Sequence, residues 1–139
     1  MKKYSLNKED KELIKIAKEV RENATKKLNM AETAGVGSSL ITSNGNVYSG
    51  VSTGFFCGIG SCGEYQAIGS MITNGERKIK TIVAVSENKI YPPCGKCREN
   101  IFQAHRDNLN TFVIISQSKK VKLRDLLPLR WEEIDGDYL

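Results

Sequence analysis

Cys62, Glu64, Cys94 and Cys97 stand at spacings that suit a metal-activated water. Cys62-Gly63-Glu64 sets a soft ligand and a carboxylate within one helical turn, and Pro93-Cys94-Gly95-Lys96-Cys97 sets two further thiols one turn apart. A structural zinc site takes four protein ligands, whereas a catalytic one keeps three and leaves the fourth position to water. Three thiols with one carboxylate that is not a ligand therefore point to zinc chemistry on water, with Glu64 moving the protons.

Other uses of the same residues have to be weighed. A closed structural site needs a fourth ligand, for which Cys57 and His105 are the candidates. Cys57 lies close enough in a glycine-rich loop, while His105 falls about three turns down the helix that Cys94 opens and points away. A thioredoxin-like role for Cys94-Gly-Lys-Cys97 would leave Cys62-Gly-Glu64 without a purpose.

The elements that must position these residues follow from hydrophobic period and turn chemistry. Asn7 with Asp10 three residues on resembles a helix cap, and Leu13, Ile16, Ala17, Val20, Ala24 and Leu28 recur at helical spacing, so a helix is expected over residues 8–27. Val36–Thr42 and Val47–Val51 flank Asn44-Gly45, which predicts a hairpin with a type I′ turn, both central residues at positive φ. Residues 52–61 read as a loop feeding the site. A second helix is expected from Cys62 to Asn74, a buried strand over Ile79–Ser86, a third helix from Cys94 to His105, and strands at Thr111–Ser116 and Lys119–Leu123. Asp125–Pro128 reads as a turn, and Tyr48 and Tyr91 as packing residues of a strand and a loop. The alternation predicts an α/β fold, a mixed sheet covered by helices, as one domain over residues 1–139.

Cys62 and Cys94 both fall at expected helix starts, where the dipole and unpaired N–H groups favour a thiolate. Zinc on three thiolates carries a formal charge of −1, so nearby cations should help, and Lys96 and Arg98 are the candidates.

Bulk composition narrows the classes. The chain has 21 Lys and Arg against 16 Asp and Glu, a formal charge of +5, with 40% hydrophobic residues. Residues 1–30 hold nine of the cations and five of the acids, so the excess sits on the first helix. A solvated helix face is the plainer reading of it, and a nucleic-acid footprint the sharper one. No apolar run approaches the ~20 residues of a membrane span. Charged residues, not an apolar signal core, follow Met1–Ser5, so a cytoplasmic protein with reduced thiols is expected.

With Cys62-Gly-Glu64 and Pro93-Cys-Gly-Lys-Cys-Arg98 the chain resembles the cytidine deaminase family, and within it the branch that includes blasticidin S deaminase. Val36-Gly-Ser-Ser-Leu40, Asn46-Val-Tyr-Ser-Gly-Val51 and Leu126-Leu127-Pro128 resemble further family segments, in the family's order, over about residues 10–131. The resemblance implies a three-layer fold with a five-stranded sheet, one zinc per subunit on Cys62, Cys94 and Cys97, Glu64 as acid and base, and a homotetramer with sites near subunit interfaces. It implies hydrolysis of the exocyclic amine of a free cytosine nucleoside (cytidine, deoxycytidine, or an analogue such as blasticidin S). A base deaminase acting on nucleic acid would need a basic channel beside the site, and an inactive zinc-binding assembly module would not need Glu64.

The departures concern the substrate. Ser52-Thr53-Gly54 stands where the family carries Asn-x-Glu to hold the ribose, and Tyr65 where an Arg often follows the glutamate. Losing that carboxylate removes a hydrogen bond worth roughly 1.5–3 kcal/mol. Ser52, Phe55, Gly63 and Trp131 are the candidate substrate contacts. Phe55 and Phe56 can equally stack on a base or belong to the core, and Trp131 can cover a site or simply pack.

Overall fold

A computed structural model describes residues 1–29 and 33–130, so Trp131 lies outside the described residues. Helix α1 runs over Lys8–Leu28 and opens on a complete capping box. The Asp10 N–H donates to Asn7 Oδ1 at 2.9 Å, and the Asn7 N–H to Asp10 Oδ2 at 2.8 Å. Strands β1 (Tyr4–Ser5), β2 (Gly37–Thr42), β3 (Val47–Val51), β4 (Ile79–Ser86), β5 (Lys89–Ile90), β6 (Phe112–Ile114) and β7 (Lys119–Lys122) form one sheet. Its order is β1-β7-β6-β4-β2-β3, with β5 paired to β4. The five-stranded expectation is thus corrected to seven. The additions, β1 and β5, are two residues each, too short to show any hydrophobic period.

The sheet is covered on both faces. Alternation along β4 sends Val83 and Val85 toward α1, where they meet Leu13, Ile14 and Ala17. Ile82 points the other way, to Ile68, Met71, Ile101 and Phe102 of helices α2 (Gly63–Thr73) and α3 (Gly95–Ala104). A 3₁₀ turn at Arg106–Asn110 and a short helix α4 at Leu123–Leu126 complete the described elements. The latter takes up Asp125 and Leu126 of the segment expected to turn and leaves Leu127 and Pro128 outside any helix, and the strand expected at Thr111–Ser116 shortens to Phe112–Ile114. Lys120 of β7 reaches Asp10 of α1 at 2.6 Å in a buried ion pair that ties the first helix to the far side of the sheet.

The hairpin forms where expected but with a different turn. Only Gly45 (φ 88°) is left-handed; Asn44 is not. The Gly45 N–H closes a turn onto the Thr42 carbonyl at 3.0 Å, giving a longer loop that needs one residue at positive φ instead of two. Asn44 then turns its amide to Glu76 Oε1 at 3.0 Å, and Asn46 and Tyr48 bond Glu76 Oε2.

The topology decides where chemistry can sit. Strands β3 and β4 both pair antiparallel with β2, so they run in the same direction. Helix α2 leaves the carboxyl end of β3 and α3 leaves that of β4 and its small β5 extension, which brings both helix N-termini to one edge of the sheet. Helix α2 is seated by Gly50 of β3, where an added Cβ would lie 2.5 Å from Gln66 Cβ and 2.7 Å from the Ala67 nitrogen. Gly50→Ala must therefore push the helix off the strand. We expect a loss of about 1–3 kcal/mol, read as a lower melting temperature, and weaker zinc retention because Cys62 and Glu64 ride on that helix.

Candidate active site

Cys62 and Cys94 are the N-cap residues of α2 and α3, each with extended backbone and no side-chain bond to the helix it caps. A Ser or Asp at such a position turns back to the helix N–H groups. Here the sulfurs turn instead toward each other, Cys62 Sγ to Cys94 Sγ at 3.6 Å. Cys97, one turn into α3 and fully buried, adds the third sulfur, and all three lie within 4.8 Å of one another. Tetrahedral zinc with bonds near 2.3 Å separates its sulfurs by about 3.8 Å, so the cluster has the right size. Cys57 is exposed, at φ 61°, and not part of it. His105 caps the far end of α3 and accepts from the Asp107 N–H. The donor set among the described residues is therefore three thiols with an open side.

The three thiols differ in their surroundings. Cys94 is held below the ordinary thiol value: burial pushes it up, but the Cys97 N–H and the neighbouring thiols outweigh that. Burial pushes both Cys62 and Cys97 upward, and the negative charge of Glu64 adds to it. The cluster fits one zinc per subunit.

Glu64 occupies the first turn of α2 and is 6% exposed. Burial raises its carboxyl above the usual range, against opposing hydrogen bonds from its own backbone and Cys97. It shares a pocket of about 240 Å³ with Cys62, Cys94, Ser52 and Ser61. Val36, just before β2, and Ala84 of β4 close the sheet side, and Gly63 packs the first turn of α2 against them, its missing Cβ 3.0 Å from the Val36 carbonyl.

The remaining sequence candidates divide. Ser52 and Gly63 line the pocket; Phe55 does not and is 54% exposed. The Ser52 hydroxyl accepts from the Val36 N–H at 3.0 Å. Lys96 extends its ammonium over the Tyr65 ring, 4.6 Å from the centroid, joining the first turns of α2 and α3. Arg98 donates to the Pro93 and Leu126 carbonyls at 2.8 and 3.1 Å, tying down the segment that delivers Cys94. Sequence reasoning missed Tyr91, Ser61, Val36 and Ala84 as pocket residues. For Tyr91 the available signal was its place three residues before Cys94. For Val36 and Ala84 there was none, because their proximity depends on how β2 and β4 register.

The fold and the three-cysteine cluster are those of a zinc-binding deaminase family, and the chain belongs to it. The family described as "Cytidine and deoxycytidylate deaminase zinc-binding region" matches residues 7–113. A blasticidin-S deaminase of Bacillus cereus is 30% identical over 147 residues, spanning 94% of this chain and 98% of that protein. A cytidine deaminase of Mycoplasma genitalium is 36% identical over 70 residues, 48% of this chain and 54% of its own. Among solved structures, the cytidine deaminase of Burkholderia pseudomallei superposes with a TM-score of 0.69 at 27% identity, covering 88% of this chain and 98% of that one. That of Mycobacterium leprae reaches 0.73 at 21% identity, covering 89% and 100%, and shows the shared fold. The family resemblance drawn from the two cysteine motifs is borne out.

Proposed function

We propose that this chain is a zinc-dependent hydrolytic deaminase that converts a free cytosine nucleoside to its uracil form and releases ammonia. The observation that carries the reading is the buried carboxyl of Glu64 in the wall of a pocket that Cys62 and Cys94 of the three-thiol cluster also line. Cys62, Cys94 and Cys97 are the ligands. Zinc held there supplies a Lewis acid that makes water a nucleophile near neutral pH. Glu64 takes the proton of the attacking water as its oxygen bonds the amine-bearing carbon, and gives that proton to the adjacent ring nitrogen. It then carries the remaining hydroxyl proton to the departing amine. Its raised pKa suits a group that must both accept and donate.

The pocket also bears on substrate class. The described lining is Val36, Ser52, Ser61, Gly63, Ala84, Tyr91 and Pro92 beside Cys62, Cys94 and Glu64, a wall of small, polar and aromatic groups. Such a wall suits an uncharged nucleoside. Cytidine, deoxycytidine and an analogue such as blasticidin S remain alternatives, with Ser52 in place of the usual ribose determinant. The reading carries with it a single domain, a cytoplasmic enzyme and a homotetramer. Exposed Phe55, Phe56 and Ile59, on the loop that leads to Ser61, support an interface beside the site. Among the described residues no helix is long and apolar enough to cross a membrane.

Metal analysis combined with a screen of cytidine, deoxycytidine, cytosine, blasticidin S and guanine, followed by ultraviolet absorbance, tests the proposal. Zinc with turnover of a cytosine nucleoside is expected. Bound zinc with no turnover of any amino-heterocycle would instead indicate a binding or assembly module.

A further inference from the structure

Tyr91 is the one aromatic side chain among the described residues that line the pocket. It shares that lining with Glu64, Cys62 and Cys94, and stands three residues before Cys94 in the chain. We propose that Tyr91 is a substrate-contact residue whose ring face receives the cytosine ring. This rests on the deaminase reading, because Glu64 must reach both the ring nitrogen and the leaving amine, which puts the heterocycle at this end of the pocket and the sugar toward its mouth.

The main chain at Tyr91 is held in place. The Tyr91 N–H donates to the Ala84 carbonyl at 3.0 Å, extending the β4–β5 pairing by one residue. Pro92 and Pro93 follow, which hold Tyr91 in extended conformation. The buried Pro93 then offers its carbonyl to Arg98 at 2.8 Å. The backbone is thus held on both sides of Tyr91, and the 46% exposure of the residue leaves area for a ligand to cover. A flat apolar wall also suits a pocket that lacks a charged determinant for the sugar, since stacking does not depend on it.

Steady-state kinetics of the zinc-loaded protein on cytidine and blasticidin S, which share the ring and differ in the sugar, test the assignment. Tyr91→Ala should raise KM roughly 5- to 100-fold, the range of one base–aromatic stack, with kcat changed far less. The factor should be the same on every substrate of the two that is turned over. Tyr91→Phe should restore KM and Tyr91→Leu should not, with unchanged melting temperatures showing that the variants fold. Equilibrium dialysis of uridine against the same set gives a readout independent of turnover, and Tyr91→Ala should weaken its binding by a similar factor. A KM within twofold of the unmodified protein, or a Tyr91→Phe variant as impaired as Tyr91→Ala, overturns the proposal while leaving the deaminase reading intact. An unmodified protein that neither deaminates nor binds these nucleosides overturns both.

Discussion

Glu64→Gln keeps its zinc and loses between about a hundred- and ten-thousand-fold in kcat, the span that a positioned acid and base contributes. The amide preserves the size of the side chain in a pocket where Glu64 is 6% exposed, so packing changes little. It cannot accept a proton, however, and proton transfer is the whole of the assigned role. Removing a buried carboxyl whose ionisation burial already disfavours also relieves a desolvation cost, so the melting temperature should hold or rise. Zinc content by atomic absorption and turnover by loss of cytosine absorbance decide the matter together. A variant with full zinc and near-normal kcat would sink the assignment of Glu64 as the proton carrier.

Removal of single thiols should separate metal binding from packing. Cys94 is exposed and Cys97 fully buried, yet both belong to the same sulfur cluster. Cys94→Ala and Cys97→Ala should each weaken zinc binding by more than the roughly 10- to 100-fold that losing an outer hydrogen-bond partner costs a metal site. Measured without chelator, both variants should melt below the unmodified protein, because metal that binds only the folded state stabilises it. With excess chelator present the two should part. Cys94→Ala should match the metal-free unmodified protein, whereas Cys97→Ala stays below it, having also lost a sulfur packed inside α3. Competition against a coloured zinc chelator supplies the affinities. Undiminished zinc affinity in either variant would show that the cluster does not hold the ion.

The fold was legible in the sequence wherever the determinants are local. The capping pair Asn7 and Asp10 and the apolar stripe of α1 lie within a few residues of one another, and so do the breaks at Asn74-Gly75 and Pro92-Pro93. Where a partner had to be found, the sequence was silent. Tyr4–Ser5 is a strand because Lys119 and Lys120 lie beside it, and Lys89–Ile90 because Val85 and Ser86 do. Neither pair has enough residues to carry a pattern of its own. The turn at Asn44-Gly45 took another form, and its Asn44 amide meets a partner no local pattern announces, the carboxylate of Glu76 thirty-two residues away.

The same division runs through the site. Cys62 with Glu64, and Cys94 with Cys97, each fall within one helical turn, so residue type and spacing by themselves pointed to three thiols and a carboxylate as the proposed ligands and proton carrier. That the two pairs meet was left to the tertiary structure. The parallel run of β3 and β4 brings two helix N-termini to one edge, and Gly50 lets α2 settle against its strand. The walls were decided there as well: Tyr91 enters the pocket because its N–H extends the β4 pairing, and Phe55 stays outside it. Catalytic chemistry is written in short spacings that one turn of helix can enforce. Substrate choice depends on side chains gathered from distant strands, and only their packing puts them in one place.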